Sequence, residues 1–588
     1  MPSGNNGECG QSGGNLSALS RRKMLASMGV ATTGVIAGCT GDPNGNGGNG
    51  GNGGNGGNGG NGGGGTSTLR YADPERPPTL DPHAVDPTNT NATFALPEQG
   101  YETLLAYSVG GGDEIELVPA LATEVPSTEN DLISDDGMTI EFPLREGVTF
   151  HTGGEMTASD VVYSWERSMT MNLAPGASSM NSIIDSVEAV DDYTFGVQLA
   201  EQTTPIFLNS VVTNSAAVVV SEEAVEENGG YAEGQQNEWM AQNSAGTGPF
   251  MLGDRNPDAQ LWDQHEDYWD ETGVDAVDHR FIEDVSSRIA QLGEGDLDYI
   301  YISVGEQVEL EGREGIELLS GPQINPGGIN FNCNIPYDDI QDIAGDDTIP
   351  EDFFADKAVR QAFAYAVPWQ DHIENLLDGY GIRTNGVHVP GVLGYDEEAP
   401  QWEQDLELVQ EKLEEAGYWE EGFTVTLHNE NISEFENLNL AIKDTFENLN
   451  DRITINAVSE PESQAVERHA ADPPQWPAEV HGLLPIGTDP TPYYEFFMHP
   501  DGDMGSRTGI PDVIDERIIE LIEQTRTETD QEARLEQLSE LQHLCYEEVP
   551  VAFGYAPEEV FPIRECIEGA HVSAWNRPHF KHWDMSGC

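Results

Sequence analysis

The residues near the N-terminus combine a reactive thiol with a targeting pattern. Arg21 and Arg22 precede an apolar run, residues 24–37, and Cys39 follows that run directly after one glycine. Roughly 14 apolar residues are too few to cross a hydrocarbon core of ~30 Å, so the run predicts a cleaved signal segment rather than a membrane helix. The chemistry expected of Cys39 is lipidation of its thiol, which would make it the lipid-bearing first residue of the processed chain.

Two motifs in this segment resemble known export signals. The sequence SRRKML at residues 20–25 is similar to the twin-arginine motif, whose pathway carries folded proteins, and IAGC at residues 36–39 is similar to a lipobox. Residues 40–68 are rich in Gly and Asn, a composition that predicts a flexible tether. We therefore expect an export signal over residues 1–39, a tether over residues 40–68, and anchoring to the outer face of the cell membrane through lipidated Cys39.

The charge of the chain is strongly acidic throughout its length. Acidic residues number 105 against 25 basic ones, which gives a net charge of -80. Such diffuse acidity is typical of proteins from extreme halophiles, because the Debye length falls to ~3 Å in molar salt. A disordered acidic protein is disfavoured by ten Trp residues and many apolar segments, and a calcium-loaded protein by the lack of an EF-hand loop sequence. This surface also argues against nucleic acid as a partner.

The remaining body of the chain carries no sequence motif for catalysis or cofactor binding. A Gly-x-Ser-x-Gly elbow, a His-Glu-x-x-His helix and a phosphate-binding Gly-x-x-x-x-Gly-Lys loop are all missing from the sequence, so we expect neither an enzyme nor a cofactor. Four cysteines lie in the body, at positions 333, 545, 566 and 588, and export permits any of three pairings. We favour Cys545 with Cys566, because these two flank one strand-like segment.

Hydrophobic periodicity in the body predicts a mixed α/β architecture. Alternating patterns predict strands, and apolar stripes at helical spacing predict helices, one of which begins after the N-cap candidate Thr157. The strands are expected at residues 139–144 and 194–199, and the helices at residues 158–169, 358–367, 406–416 and 532–545. After the tether some 520 residues remain, which is enough for two or three domains.

A series of segments in the body then resembles one protein family. In order along residues 69 to 560, these segments are similar to the extracytoplasmic solute-binding proteins of ABC importers, in the peptide, oligopeptide and nickel class known as family 5. The matching segments are residues 80–83, 101–104, 117–122, 142–151, 157–164, 187–194, 246–250, 267–269, 359–363, 413–418 and 549–551.

The resemblance implies a fold and a set of partners. The fold is an α/β, two-lobed, periplasmic-binding-protein-like fold with a hinge and an extra subdomain on the first lobe. It would place the first lobe at residues 69–325 with the subdomain at about 101–244, the second lobe at 326–554, and a C-terminal return to the first lobe at 555–588. A small-molecule or peptide ligand would favour closure because it touches both lobes. We expect a monomer that delivers its ligand to separate permease and ATPase subunits.

The resemblance also implies which residues line the ligand cleft. In the family the cleft is formed by the segment at residues 85–95, the crossing segment at 330–332 and the loop at 483–494. Our candidates are Asn89, Asn330, Phe331, Asn332, Leu483, Ile486, Asp489, Tyr493 and Tyr494. For the three aromatic residues of this set, ordinary core packing is the alternative interpretation.

One position departs from the pattern of peptide binders. Such proteins commonly place an Asp three residues before an Asp/Glu-Pro pair, where it pairs with the amino terminus of the peptide. Here the pair is Asp489-Pro490, and the earlier position is Ile486. A neutral or blocked peptide, an oligosaccharide or a metal chelate therefore stays open as the ligand, and a sugar would call for stacking by Trp262, Trp269 or Trp476. A surface structural or adhesive protein is the alternative from another class.

Overall fold

The computed structural model describes residues 67–85, 90–95, 97, 99–108, 116–302, 305–390, 392–482, 487–570 and 578–588. Within these ranges the chain is a mixture of strands and helices, as its periodicity predicts. The strands are β1 (Thr68–Asp73), β2 (Leu105–Tyr107), β3 (Leu117–Pro119), β4 (Thr139–Pro143), β5 (Ile184–Asp191), β6 (Thr194–Leu199), β7 (Phe250–Asn256), β8 (Ala259–Gln264), β9 (Ala276–Phe281), β10 (Tyr299–Ile300), β11 (Ile316–Pro322), β12 (Gly327–Phe331), β13 (Gly381–Arg383), β14 (Phe423–Glu430), β15 (Ile453–Glu460), β16 (Ala478–Gly482) and β17 (Val551–Arg564).

The helices of the described residues range from single turns to five turns. They are α1 (Ala158–Met171), α2 (Pro175–Ile183), α3 (Thr204–Ile206), α4 (Glu222–Glu227), α5 (Val285–Glu294), α6 (Gln341–Ala344), α7 (Lys357–Ala366), α8 (Trp369–Leu376), α9 (Leu406–Glu415), α10 (Ser433–Leu449), α11 (Glu462–Ala470), α12 (Thr491–Met498), α13 (Asp503–Thr508), α14 (Glu516–Thr527) and α15 (Gln531–Glu548). Across the described part of the chain, none of these helices has the length and apolar character needed to span a bilayer.

The predicted elements lie where the periodicity places them, within a few residues at each end. Helix α1 follows Thr157, whose backbone N–H donates to Asp160 Oδ2 over 3.0 Å and so satisfies one of the free donors of the first turn. Helix α9 ends at Glu415, two residues before Gly417, whose φ of +84° is a conformation that favours glycine.

The largest sheet is continuous but falls into two parts around one long strand. Its order is β15-β14-β16-β12-β17-β10-β1-β9-β8-β7, with β11 and β13 also paired to β17. The first residues of β17 pair with β12 and β13, and its later residues pair with β11 and β10. We call the part formed by β1 and β7–β11 the N-half and the part formed by β12–β16 the C-half. Strand β17 therefore passes from one half to the other.

A second, smaller sheet stands beside the N-half. It has three antiparallel strands in the order β4-β6-β5, and helices α1 and α2 cover it. Its apolar residues form a hydrophobic core separate from the cores of the two halves of the large sheet. We refer to residues 101–244, which include this sheet, as the small-sheet region.

The disulfide differs from the one that the sequence predicts. Cys566 is bonded to Cys588, with Cα atoms 5.2 Å apart, whereas Cys333 and Cys545 are buried free thiols. The predicted Cys545–Cys566 pairing is wrong because β17 lies between these residues. A fourteen-residue strand is about 45 Å long, so it holds the two cysteines far apart.

Candidate functional site

Several parallel strands of the C-half end at one edge of the sheet. Strand β14 runs parallel to both β15 and β16, and β12 runs antiparallel to β16 so that Gly327 lies opposite Gly482. In open α/β sheets, ligands bind in the crevice outside the carboxyl ends of such strands. A ligand site is therefore expected at this edge, where the chain also enters β12 from the N-half.

A row of buried polar residues crosses the C-half near this edge. Asn330 on β12, Glu479 on β16 and His428 on β14 are in register on adjacent strands. The Glu479 carboxylate accepts a hydrogen bond from His469 Nδ1 over 2.9 Å and lies 3.6 Å from His428 Nδ1. His428 Nε2 lies 3.0 Å from Glu460 Oε2. The row is thus a chain of alternating imidazole and carboxylate groups.

The charges in this row fix one another. Burial alone would raise the pKa of Glu479, but His469 and His428 hold it well below its usual value. Burial alone would lower the pKa of His428, but Glu479 and Glu460 together raise it. For the neighbouring His481, burial outweighs the attraction of Glu479 and lowers the pKa to about 4. The row therefore holds an ionised carboxylate beside a histidine that favours the protonated form.

The three predicted residues on and after β12 have different surroundings. Asn330 is buried, and both polar atoms of its side chain are without a hydrogen-bond partner among the described residues. Phe331 lies in the core on the other face of the sheet, with its ring centroid 5.2 Å from that of Phe354. Asn332 donates its amide to the carbonyls of Pro474 and Trp476 and so joins the chain after β12 to the segment before β16. The part these residues play in ligand binding stays a prediction.

Asp489 makes a buried ion pair. Both of its carboxylate oxygens accept hydrogen bonds from Arg534 Nη2, at 2.8 and 2.7 Å, and Oδ1 also accepts from the backbone N–H of Thr491. The guanidinium of Arg534 reaches further to Thr491 Oγ1 and to the carbonyl of Thr525. This carboxylate is already neutralised inside the protein, so the geometry assigns it to holding the start of α12 against α14 and α15.

Tyr493 and Tyr494 pack into a core on the second face of the C-half. Both are about 1% exposed, among apolar residues of helices α12 to α15. The hydroxyl of Tyr494 lies 2.7 Å from His388 Nδ1, and burial lowers the pKa of His388 to about 3. Their predicted contact with a ligand remains untested by this geometry.

The family-like motif at residues 80–83 is explained by packing. Asp81 forms a fully buried, bidentate ion pair with Arg167 on α1, with N···O distances of 2.9 and 2.6 Å. His83 Nδ1 lies 2.7 Å from Arg167 Nη1, and burial together with Arg167 lowers the pKa of His83 to about 3. The motif therefore ties the chain after β1 to the small-sheet region.

The segment that follows this motif packs over the N-half. Phe94, in a turn of 3-10 helix at Thr90–Ala95, stacks on Trp262 with ring centroids 4.3 Å apart. Trp262 and Trp476 are fully buried, and Trp269 lies beneath the guanidinium of Arg145 at 4.1 Å. These three tryptophans, expected to stack on a sugar if one binds, are thus engaged with the protein.

The small-sheet region contacts the chain that leads into α12, beside Asp489. Thr488 Oγ1 donates to the hydroxyl of Tyr107 over 2.9 Å, and the Tyr107 hydroxyl donates in turn to the carbonyl of Asn209. Burial raises the pKa of Tyr107 to about 12, so this hydroxyl keeps its proton. A second contact joins Arg526 Nη2 to Glu201 Oε2 at 2.9 Å. Thr488, in the loop predicted to line the ligand cleft, therefore lies against the small-sheet region.

The imidazole–carboxylate row was not predicted from the sequence. The available signal was the alternation Ala-Glu-Val-His-Gly at residues 478–482, in which two ionisable residues occupy one face of a strand inside the protein. Other predicted residues, namely Arg21, Arg22, Cys39, Asn89, Leu483 and Ile486, lie outside the described residues. Where the chain is described, no three His, Cys, Asp or Glu side chains converge as they would around a metal ion.

Comparison with known proteins agrees with this architecture. Heme-binding protein A of Haemophilus influenzae is 28% identical over 374 residues, which are 60% of this chain and 62% of that protein. The dipeptide-binding protein of Escherichia coli is 26% identical over 385 residues, 61% of this chain and 65% of that protein. The chain thus spans somewhat less than two thirds of the length of these relatives.

A solved structure extends the likeness to almost the whole fold. The structure of HbpA2 from Haemophilus parasuis superposes with a TM-score of 0.73 at 21% identity, covering 88% of this chain and 99% of that one. This likeness confirms the expected mixed α/β, two-lobed fold of periplasmic binding proteins. Residues 116–505, more than half of the chain, match the family described as bacterial extracellular solute-binding proteins, family 5 middle region. This chain belongs to that family of solute-binding proteins.

Proposed function

We propose that this protein is a cell-surface lipoprotein that captures a peptide-like solute and delivers it to an ABC-type importer. One observation carries the proposal: the match of residues 116–505 to an extracellular solute-binding family, in a chain whose two-part sheet is joined through β17. Binding between lobes that can approach each other couples the ligand to the shape of the protein. In this role the chain binds and releases its solute without changing it chemically, so it is not an enzyme.

The proposal includes the boundaries of the lobes. The first lobe spans residues 69–325, the second spans 326–554, and residues 555–588 return to the first lobe. The pairing of β17 supports this division, because Val551 to Pro557 pair with β12 and β13 whereas Glu558 to Arg564 pair with β11. The change of partner falls within three residues of the proposed boundary.

The proposal also includes the attachment of the protein to the cell. Arg21 and Arg22 direct export, lipidated Cys39 holds the chain at the membrane, and residues 40–68 let the lobes move on a tether. The protein acts as a monomer in molar salt and meets separate permease and ATPase subunits.

A second ligand class is favoured by the ion pair of Asp489. Because Arg534 already neutralises this carboxylate, and because Ile486 replaces the usual acidic residue, a free amino terminus would find no partner at these positions. Burying an unpaired ammonium group is strongly unfavourable. A blocked peptide, an oligosaccharide or a metal chelate is therefore the second candidate for the solute.

Thermal unfolding tests both candidates. The full-length protein in about 3 M KCl is screened against matched peptides with free and acetylated amino termini, against oligosaccharides and against nickel chelates. A ligand at about 100 times its dissociation constant adds ~2.7 kcal/mol and raises the melting temperature. Stabilisation by free-amino peptides alone supports peptide capture, and stabilisation by blocked peptides, sugars or chelates alone supports the second candidate. No stabilisation by any of the four sets contradicts the proposal.

A further inference from the structure

Among the described residues, the small-sheet region contacts the region of helices α12 to α15 at two separate points. At the first, Gly487 and Thr488 lie against Ser210 and Tyr107. At the second, the end of α14 meets the chain before α3, where Arg526 pairs with Glu201. The residues at these two points are far apart in the sequence of the second lobe. Their simultaneous contact with the small-sheet region therefore depends on how the second lobe is folded.

Arg534 joins the two points inside the second lobe. Its guanidinium binds Asp489, next to Thr488, and its Nε donates to the carbonyl of Thr525, next to Arg526. The side chain of Arg534 is 5% exposed and that of Asp489 is fully buried. A buried ion pair with several hydrogen bonds holds its elements in one relative position. The small-sheet region therefore meets a single rigid unit rather than two independent loops.

The steric fit is tightest at Gly487. A Cβ atom added there would overlap Ser210 Oγ and come within 2.7 Å of Ser210 Cβ, but it would lie 3.1 Å from Ser210 Cα. The Ser210 hydroxyl is buried and has no hydrogen-bond partner among the described residues, so it serves here as a packing surface. The ion pair at the second point contributes less, because Glu201 is 72% exposed and exposed pairs are weak, especially in salt.

We propose that Gly487 and Tyr107 are positioning residues, which seat the segment beginning at Gly487 against the extra subdomain and so set where the second lobe stops when the lobes close. This inference rests on the proposed solute-binding function. Because Gly487 has no side chain, its backbone can approach Ser210 closely. The hydrogen bond from Thr488 to Tyr107 then fixes the relative position of the two segments. The extra subdomain thereby takes part in closure as a stop for the second lobe.

Crosslinking of the full-length protein tests the contact without any ligand. Gln202 and Thr527 are exposed, and Gln202 Nε2 donates to the carbonyl of Thr527 over 3.4 Å. In a Gln202→Cys/Thr527→Cys variant, a short bis-thiol reagent joins the two sites, and mass spectrometry of the joined peptides separates this product from reaction at native cysteines. We expect Gly487→Ala to lower the crosslinking rate about tenfold, the order of effect that overpacking by one methyl group gives.

A compensating substitution keeps the test independent of folding. Ser210→Gly removes both clashing atoms and should restore the crosslinking rate of Gly487→Ala, whereas Ser210→Ala keeps Cβ and should not. Tyr107→Phe should lower the rate about threefold, the effect of one net hydrogen bond. Equal rates in all variants, or equal recovery with Ser210→Gly and Ser210→Ala, overturn the proposal. Because no ligand is involved, this result is separate from the thermal screen, which alone decides the proposed function.

Discussion

At the scale of single residues, the ion pair between Asp489 and Arg534 has the clearest energetic consequence. Arg534→Met leaves the buried Asp489 carboxylate without its partner, and such a change destabilises proteins by about 3–5 kcal/mol. We expect Asp489→Asn/Arg534→Met to regain a large part of that loss, because the amide carries no charge. Urea unfolding in molar KCl measures both. Arg517→Met, which removes an exposed pair with Glu540, is the control and should change stability far less than Arg534→Met.

An equal loss in the single and the double variant would show that the unpaired charge is not the cause.

The cysteine pairing and the role of Asp489 show what sequence cannot supply at this scale. Asp489 belongs to a recognisable Asp-Pro pair, but its partner Arg534 lies 45 residues later in an ordinary helical pattern. Only the packing of α12 on α14, and of α14 on α15, brings the two together. Motifs identify residues that recur, and the three-dimensional contact decides what each one binds.

At the scale of elements, the strands and helices follow closely from their periodicity. The predicted helices at 158–169 and 532–545 correspond to α1 and α15, and the predicted strand at 194–199 is β6. Side-chain periodicity is a local property, so it survives without knowledge of the fold. Strand order is not local, and the passage of β17 between two halves of the sheet could be expected only through the family resemblance.

The C-terminal disulfide gives a prediction at this scale. The Cys566–Cys588 bond closes a loop of 22 residues over a core that includes Phe580 and Trp583. Replacing both cysteines with Ser should lower the free energy of unfolding by about 3 kcal/mol, because the unfolded chain regains the freedom of the open loop. Hydrogen exchange should show the loss of protection concentrated in residues 578–588.

The control for this change is Cys333→Ser, at a buried free cysteine. It alters packing without opening a loop, so it should leave exchange at residues 578–588 unchanged. Faster exchange in that segment after Cys333→Ser would mean that the effect does not depend on the disulfide.

At the scale of the whole molecule, buried histidines predict a loss of stability in acid. Burial lowers the pKa of His83, His151 and His388 to about 3, and that of His372 and His481 to about 4. The unfolded chain binds these protons near pH 6.5. The stability contributed by the neutral histidines is therefore fully present above that pH and is lost as the pH falls towards the folded pKa values.

His372 isolates one of these groups, because burial is the cause of its shift and neither ring nitrogen has a hydrogen-bond partner among the described residues. In His372→Phe, the slope of unfolding free energy against pH should fall by about 1 kcal/mol per pH unit between about pH 6 and pH 4.5. The aromatic ring keeps the contact with Tyr555, at 4.5 Å between centroids. An unchanged slope, measured by urea unfolding across this range, contradicts the prediction.

The net charge of -80 predicts that folding depends on salt. Repulsion among 105 acidic side chains opposes the compact state, and it weakens as the Debye length falls from ~10 Å in 0.1 M salt to ~3 Å in 1 M salt. We expect the free energy of unfolding, followed by circular dichroism, to rise steeply between these two concentrations of KCl. An uncharged osmolyte at the same water activity separates the possible causes, since exclusion from the surface stabilises proteins without screening charge. A protein that stays fully folded in dilute buffer would mean that charge repulsion does not limit the fold. Equal stabilisation by the osmolyte would mean the same, because screening is the one effect that the salt has and the osmolyte lacks.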